Sequence, residues 1–135
     1  NLVYLAARDR YAVRREEPAG KGVADVTFIP RNLAEARWRP FIVELKTGGT
    51  AAEAVAQIRK RDYAALFADG LLGKRGSARS LAVGIAWDPK TKTHDCLVEE
   101  LQVVPLLPGR IVRVFRPYSG HIPANRVKWP EKNRG

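Results

Sequence analysis

The chain has 135 residues, 45% of them hydrophobic, which suits a single domain with its own core and excludes a disordered, charge-dominated class. Lysine and arginine number 24 against 14 acidic residues, a formal net charge of +10, so an anionic partner is expected, nucleic acid ahead of an acidic membrane surface. No apolar run approaches the roughly 18 to 20 residues of a membrane span, and the single cysteine, Cys96, excludes an intramolecular disulfide framework, so the expectation is a soluble, cytoplasmic protein that engages no membrane.

The excess of positive charge is uneven. Residues 1–100 carry 17 basic and 13 acidic side chains, residues 101–135 carry 7 and 1, so the C-terminal part is the more basic. The chain contains no methionine, which leads us to expect a piece of a longer polypeptide. Cys96 is expected to be a small apolar core residue.

In chain order, Leu2 to Ala7 is apolar and reads as the last turns of a helix, with Arg8 and Arg10 placed for the negative end of its dipole. Tyr11 to Arg15 reads as a short strand, and EEPAGKG as a turn region. From Val23 the residues alternate, with Asp25, Thr27 and Ile29 on one side and Val26 and Phe28 on the other, as in a strand ending at Pro30. Arg31 to Pro40 is a polar connection that holds Trp38. Phe41 to Lys46 is a second alternating strand, on which Glu44 and Lys46 must share a face with Ile42.

TGGT is a turn, and Thr50 followed three residues later by Glu53 is a capping-box pattern for a helix running to about Ala68. At 100° per residue Ala51, Val55, Ile58 and Leu66 fall on one side, with Gln57, Lys60 and Arg61 roughly opposite. GLLGKRGSARS reads as a basic loop. Leu81 to Trp87 is a core strand whose second face, Ala82, Gly84 and Ala86, is made of small residues, so something is expected to pack closely against it. Asp88 to Lys92 is a turn, His94 to Glu100 an antiparallel return strand, and Arg110 to Arg116 an edge strand before an irregular tail. On this reading residues 1–101 form the main domain and residues 102–135 a basic extension.

Three polar residues interrupt these strands. If the two strands lie side by side, about 4.8 Å apart, Asp25 and Glu44 converge. Two carboxylates at about 4 Å repel by roughly 1 kcal/mol in water and about 4 kcal/mol at an effective dielectric near 20, so the pair invites a divalent cation. Hard oxygen ligands suit magnesium or manganese, and a neighbouring lysine can offset charge on a phosphodiester under attack. The alternative is structural: Asp25 as a strand-end residue, and Glu44 with Lys46 as an exposed pair on an antiparallel sheet. The other candidates are weaker. His94 and His121 are isolated, no zinc spacing occurs, and LLGKRGS does not match a phosphate-binding P-loop.

GVADVTFIP, FIVELK and AVAQIRKRDYAALF, followed by a strand like LAVGIAW, resemble the PD-(D/E)xK nuclease superfamily. The nearest likeness is to the nuclease-like domain at the C-terminus of bacterial AAA-ATPase-like proteins. The resemblance covers residues 11–101 and implies an α/β fold, a restriction-endonuclease-like mixed β-sheet flanked by helices. It implies a magnesium- or manganese-dependent phosphodiesterase acting on DNA, with Asp25 and Glu44 as metal ligands, Lys46 as the catalytic lysine and Gln57 near the site. It further implies Tyr63 as a nucleic-acid contact. Lys60, Arg61, Lys74, Arg75 and Arg79 are read directly as a phosphate-tracking rim, and Tyr118 and Trp129 as aromatics suited to base stacking or to packing on the domain. Ala24 stands where the superfamily name has proline. Many members add an acid from a helix before the first strand, which Asn1 to Arg8 does not supply, and Glu16 or Glu17 would have to take that place. The alternative reading is a non-catalytic nucleic-acid-binding or regulatory module attached to an ATPase segment upstream.

Overall fold

In the computed structural model, residues 7–19, 22–32, 34–35, 37–61, 79–107 and 110–118 are described, with backbone alone for residues 16–19, 22–24, 103–107 and 110–113. They form strands β1 (Tyr11–Ala19), β2 (Gly22–Pro30) and β3 (Phe41–Thr47), helix α1 (Ala51–Arg61), and strands β4 (Arg79–Asp88), β5 (Thr93–Leu107) and β6 (Arg110–Pro117). The six strands make one sheet in the order β1-β2-β3-β4-β5-β6. Every neighbour pair is antiparallel except β3 and β4. That exception follows from connectivity, because a parallel pair needs a crossover and this one contains α1. The fold is therefore a mixed α/β arrangement with an open sheet.

Two strands run further than their sequence suggests. β1 continues through Glu16, Glu17 and Pro18 to Ala19, where a turn is expected. It can, because it lies at the edge of the sheet, where alternate N–H groups face away from the ladder and proline is tolerated. β5 continues past Glu100 and Pro105 to Leu107, and the ladder to β6 shifts register between Pro105 and Leu107, the irregularity that accommodates proline inside a sheet. The edge strand expected at Arg110 to Arg116 is β6. Cys96 is exposed on β5 rather than buried in the core, being paired with Ile85 on the sheet face away from α1.

α1 packs across β3, β4 and β5. Ala51, Ala54, Val55 and Ile58 are buried on its inner face, and each of the two larger side chains contributes about 1.5–3 kcal/mol by leaving water. The small face of β4 is what the helix lies on: a methyl added at Gly84 would run into the Ala51 carbonyl oxygen and come within 2.9 Å of Val55 Cγ2 and 3.0 Å of Ala54 Cβ. The entry to the helix is fixed by the expected capping box, in which the Glu53 N–H donates to Thr50 Oγ1 at 3.1 Å and the Thr50 N–H to Glu53 Oε2 at 2.8 Å. Gly48 and Gly49, at φ of 76° and 68°, make the turn before it.

β5 ties the helix down at both ends. The Ala51 N–H donates to Asp95 Oδ2 at 3.2 Å, and the Arg59 guanidinium makes a two-pronged pair with Glu99, its Nε 2.9 Å from Oε2. Among the described residues no helix is long and apolar enough to cross a membrane.

Candidate functional site

The register of β2 on β3 runs Val26↔Val43, Thr27↔Ile42, Phe28↔Phe41. One step further along the same register, Asp25 lies across from Glu44. By alternation along each strand both residues lie on the face that α1 covers, and the charge of Asp25 acts on Glu44. Asp25 does more than face Glu44: its Oδ2 accepts the backbone N–H of Leu45 at 2.8 Å. Where the backbone ladder between β2 and β3 ends, a side chain takes over the role of acceptor.

Glu44 is 3% exposed. Its Oε1 accepts a hydrogen bond from Gln57 Nε2, and Gln57 Oε1 accepts one from Lys46 Nζ. The amide orientation follows from Lys46, which is a donor only and so requires the oxygen end of Gln57. Glu44 Oε2 is buried with no hydrogen-bond partner among the described residues, as is Thr27 Oγ1 two residues along β2 from Asp25. Burial pushes the Glu44 carboxyl above the usual range, and the charge of Asp25 pushes it further; Lys46, Arg61 and the Gln57 hydrogen bond pull the other way. Hence Asp25, Glu44, Lys46 and Gln57 form one electrostatically connected group drawn from two strands and a helix.

Gln57 is thus not opposite the buried face of α1, as its helical angle suggests. The buried stripe is centred between Ala51 and Ile58 and includes Ala54, which leaves Gln57 on the flank that overlooks Glu44 and Lys46. Arg61 sits on the same flank, close enough for its charge to act on Glu44. Lys60 is exposed on α1 and Arg79 is exposed at the start of β4. Tyr63, Lys74, Arg75 and Trp129 lie outside the described residues.

Of the two acids expected near Asp25, Glu17 pairs with Ala24 and Arg15 with Val26. Glu16, between them, is the residue across from Asp25. The strand order therefore brings Glu16, Asp25 and Glu44 to one transverse row on β1, β2 and β3. Among the described side chains no group of three His, Cys, Asp or Glu residues is gathered closely enough to hold a metal ion. The carboxylates that can serve one are Asp25, with Oδ1 free of hydrogen bonds among the described residues, and Glu44, with Oε2 free.

Comparison of the chain with protein-family models, with curated proteins and with solved structures finds no match in any of the three.

Proposed function

We propose that this chain is a metal-dependent nuclease domain that hydrolyses phosphodiester bonds in DNA on a restriction-endonuclease-like scaffold of the PD-(D/E)xK kind. The observation that carries the reading is Glu44: a carboxylate 3% exposed, with one oxygen held by Gln57 and the other without a partner among the described residues, next to a second carboxylate. Leaving a buried carboxylate oxygen unsatisfied is costly unless something of opposite charge meets it. Two carboxylates on adjacent strands, each with an oxygen unpaired among the described residues, fit a hard divalent cation such as magnesium or manganese. Asp25 and Glu44 would hold it, with Glu16 as the third acid by register in preference to Glu17. When bound, the cation would neutralise charge at the phosphate and acidify the attacking water.

The remaining work falls to the chain's own side chains. Lys46, fixed by Gln57 Oε1, carries a positive charge beside the carboxylates and stabilises the negative charge that builds on the phosphate during attack. Gln57 holds Glu44 and Lys46 at once and sets their separation. Lys60 and Arg61, with Lys74, Arg75 and Tyr63, supply contacts to phosphates and bases. An ATPase segment upstream in the full polypeptide belongs to the same proposal.

The competing reading, a non-catalytic nucleic-acid-binding or regulatory module, draws on the lack of a third carboxylate among the described side chains of the site. DNA cleavage by the purified chain with magnesium separates the two. The nuclease reading expects cleavage that falls at least about 100-fold in Asp25→Ala and Lys46→Ala, in line with the loss of a group that stabilises the transition state. Full cleavage by both variants would remove the assignment, and DNA binding without cleavage by the unaltered chain would favour the module.

A further inference from the structure

A concavity lies on the side of the sheet away from α1. Phe41 and Leu81, which pair with each other across β3 and β4, alternate with Ile42 and Ala82 and so face away from α1. Around them is a pocket of about 330 Å³ walled by Tyr11, Trp38 and Tyr118, with Arg37 and Arg39 beside it. That volume is at the lower end of small-molecule sites, about 300–1,000 Å³. It is separated from Asp25 and Glu44 by the thickness of the sheet.

The walls are aromatic, and Tyr11 and Trp38 are held in place. Tyr11 meets Trp38 edge-on at 6.1 Å between centroids and Phe41 edge-on at 5.3 Å, while Phe41 stacks on Phe28 at 4.1 Å. The Trp38 Nε1–H donates to Glu35 Oε2 at 2.9 Å, and the Arg10 guanidinium lies 4.5 Å over its ring. Glu35 also takes Arg37 Nε at 3.0 Å, and Glu100 takes Arg39 Nη1 at 2.6 Å. Among the described residues each of these arginines spends one nitrogen on its carboxylate and keeps its other N–H donors, and the Arg37 side chain is 73% exposed. The result is a slot of aromatic surface rimmed by guanidinium donors anchored in position.

Aromatic walls select a flat ring, because every base has a π-face that stacks on them. Guanidinium forks beside the ring select an anion, phosphate above all. A cationic ligand would meet Arg37 and Arg39. We propose that this pocket binds one nucleoside phosphate, base against Tyr11 and Tyr118 and phosphate on Arg37 and Arg39, as a site separate from the carboxylate centre. The same chemistry is offered by a free mononucleotide and by an unpaired nucleotide of a single strand. This inference stands on the pocket alone and does not need the nuclease reading.

The test is titration of the full chain, in EDTA so that no cation occupies the carboxylates, with thymidine monophosphate, with a ten-residue oligothymidylate and with thymidine, followed by tryptophan fluorescence. Saturable quenching by the nucleotide or the oligonucleotide is expected, weaker for thymidine, and weakened about ten-fold in Tyr118→Ala and in Arg37→Ala. Arg37 is exposed, so its variant keeps the fold even if Tyr118→Ala does not. Equal affinity for monophosphate and oligonucleotide assigns a free nucleotide, and tighter oligonucleotide binding assigns a strand. Absence of saturable binding by both, or unchanged affinity in Arg37→Ala, overturns the proposal.

Discussion

The side-chain amide of Gln57 donates to Glu44 Oε1 across the gap between α1 and β3. Because the other end of the same amide accepts from Lys46, one helical residue fixes both polar groups that β3 sends to the covered face. Replacing it with leucine leaves a buried carboxylate oxygen without its donor. We expect Gln57→Leu to lower the unfolding free energy at pH 7 by about 1–3 kcal/mol, the range for a buried polar group left unsatisfied. Urea denaturation checks this, and a change below about 0.5 kcal/mol would mean that the amide does not hold Glu44.

Glu44 gives a pH signature. Its carboxyl titrates above the usual range, through burial first and Asp25 second, so the folded chain holds this proton more tightly than the unfolded chain. The resulting stability is fully present below the ordinary glutamate range near pH 4.3 and is lost as pH rises through the raised folded value. Glu44→Gln cannot ionise and escapes that loss. It should melt above the parent chain at pH 7, with the gap closing as pH falls below about 4. Melting curves from pH 3 to 8 decide, and a variant less stable at pH 7 would contradict the desolvated-carboxylate account.

Gly84 tests the seat of the helix. A methyl there meets the Ala51 carbonyl and two side chains of α1, so Gly84→Ala must displace the helix that carries Gln57. Overpacking of this kind costs about 1–3 kcal/mol. Denaturation of the variant should show that loss, and an unchanged midpoint would mean that α1 yields without strain.

How far such features can be read from the chain depends on the range of the interaction. Alternation within single strands sets the shared face of Glu44 and Lys46, and the small face of β4 announces a close neighbour, because both are local periodicities. The Thr50–Glu53 cap is legible for the same reason. Gln57 is misplaced by periodicity, since the helical stripe is centred by contact with β4 and not by the helix's own apolar residues. Pro18 and Pro105 suggest strand ends because an edge position and a ladder irregularity exist only once the sheet is assembled. The aromatic pocket joins Tyr11, Trp38 and Tyr118, more than 100 residues from first to last, and only the Arg37-Trp38-Arg39 run hints at it in sequence.

The register separates two adjacent acids. Glu16 lies across from Asp25, and Glu17 pairs with Ala24. If Glu16 completes the cation site, Glu16→Gln should weaken manganese binding about ten-fold or more, while Glu17→Gln leaves it within about two-fold; the size of the first effect follows losses typical of groups supporting a metal. Equal effects of the two substitutions would detach β1 from the site.

The central claim is that Asp25 and Glu44 together hold a divalent cation. Calorimetric titration of manganese into the purified chain at pH 7.5 measures this without reference to catalysis. The account predicts saturable binding at one site, abolished by Glu44→Ala and by Asp25→Asn, and weakened on acidification as protons compete for Glu44. No binding at millimolar manganese, or binding that survives both substitutions, would contradict it.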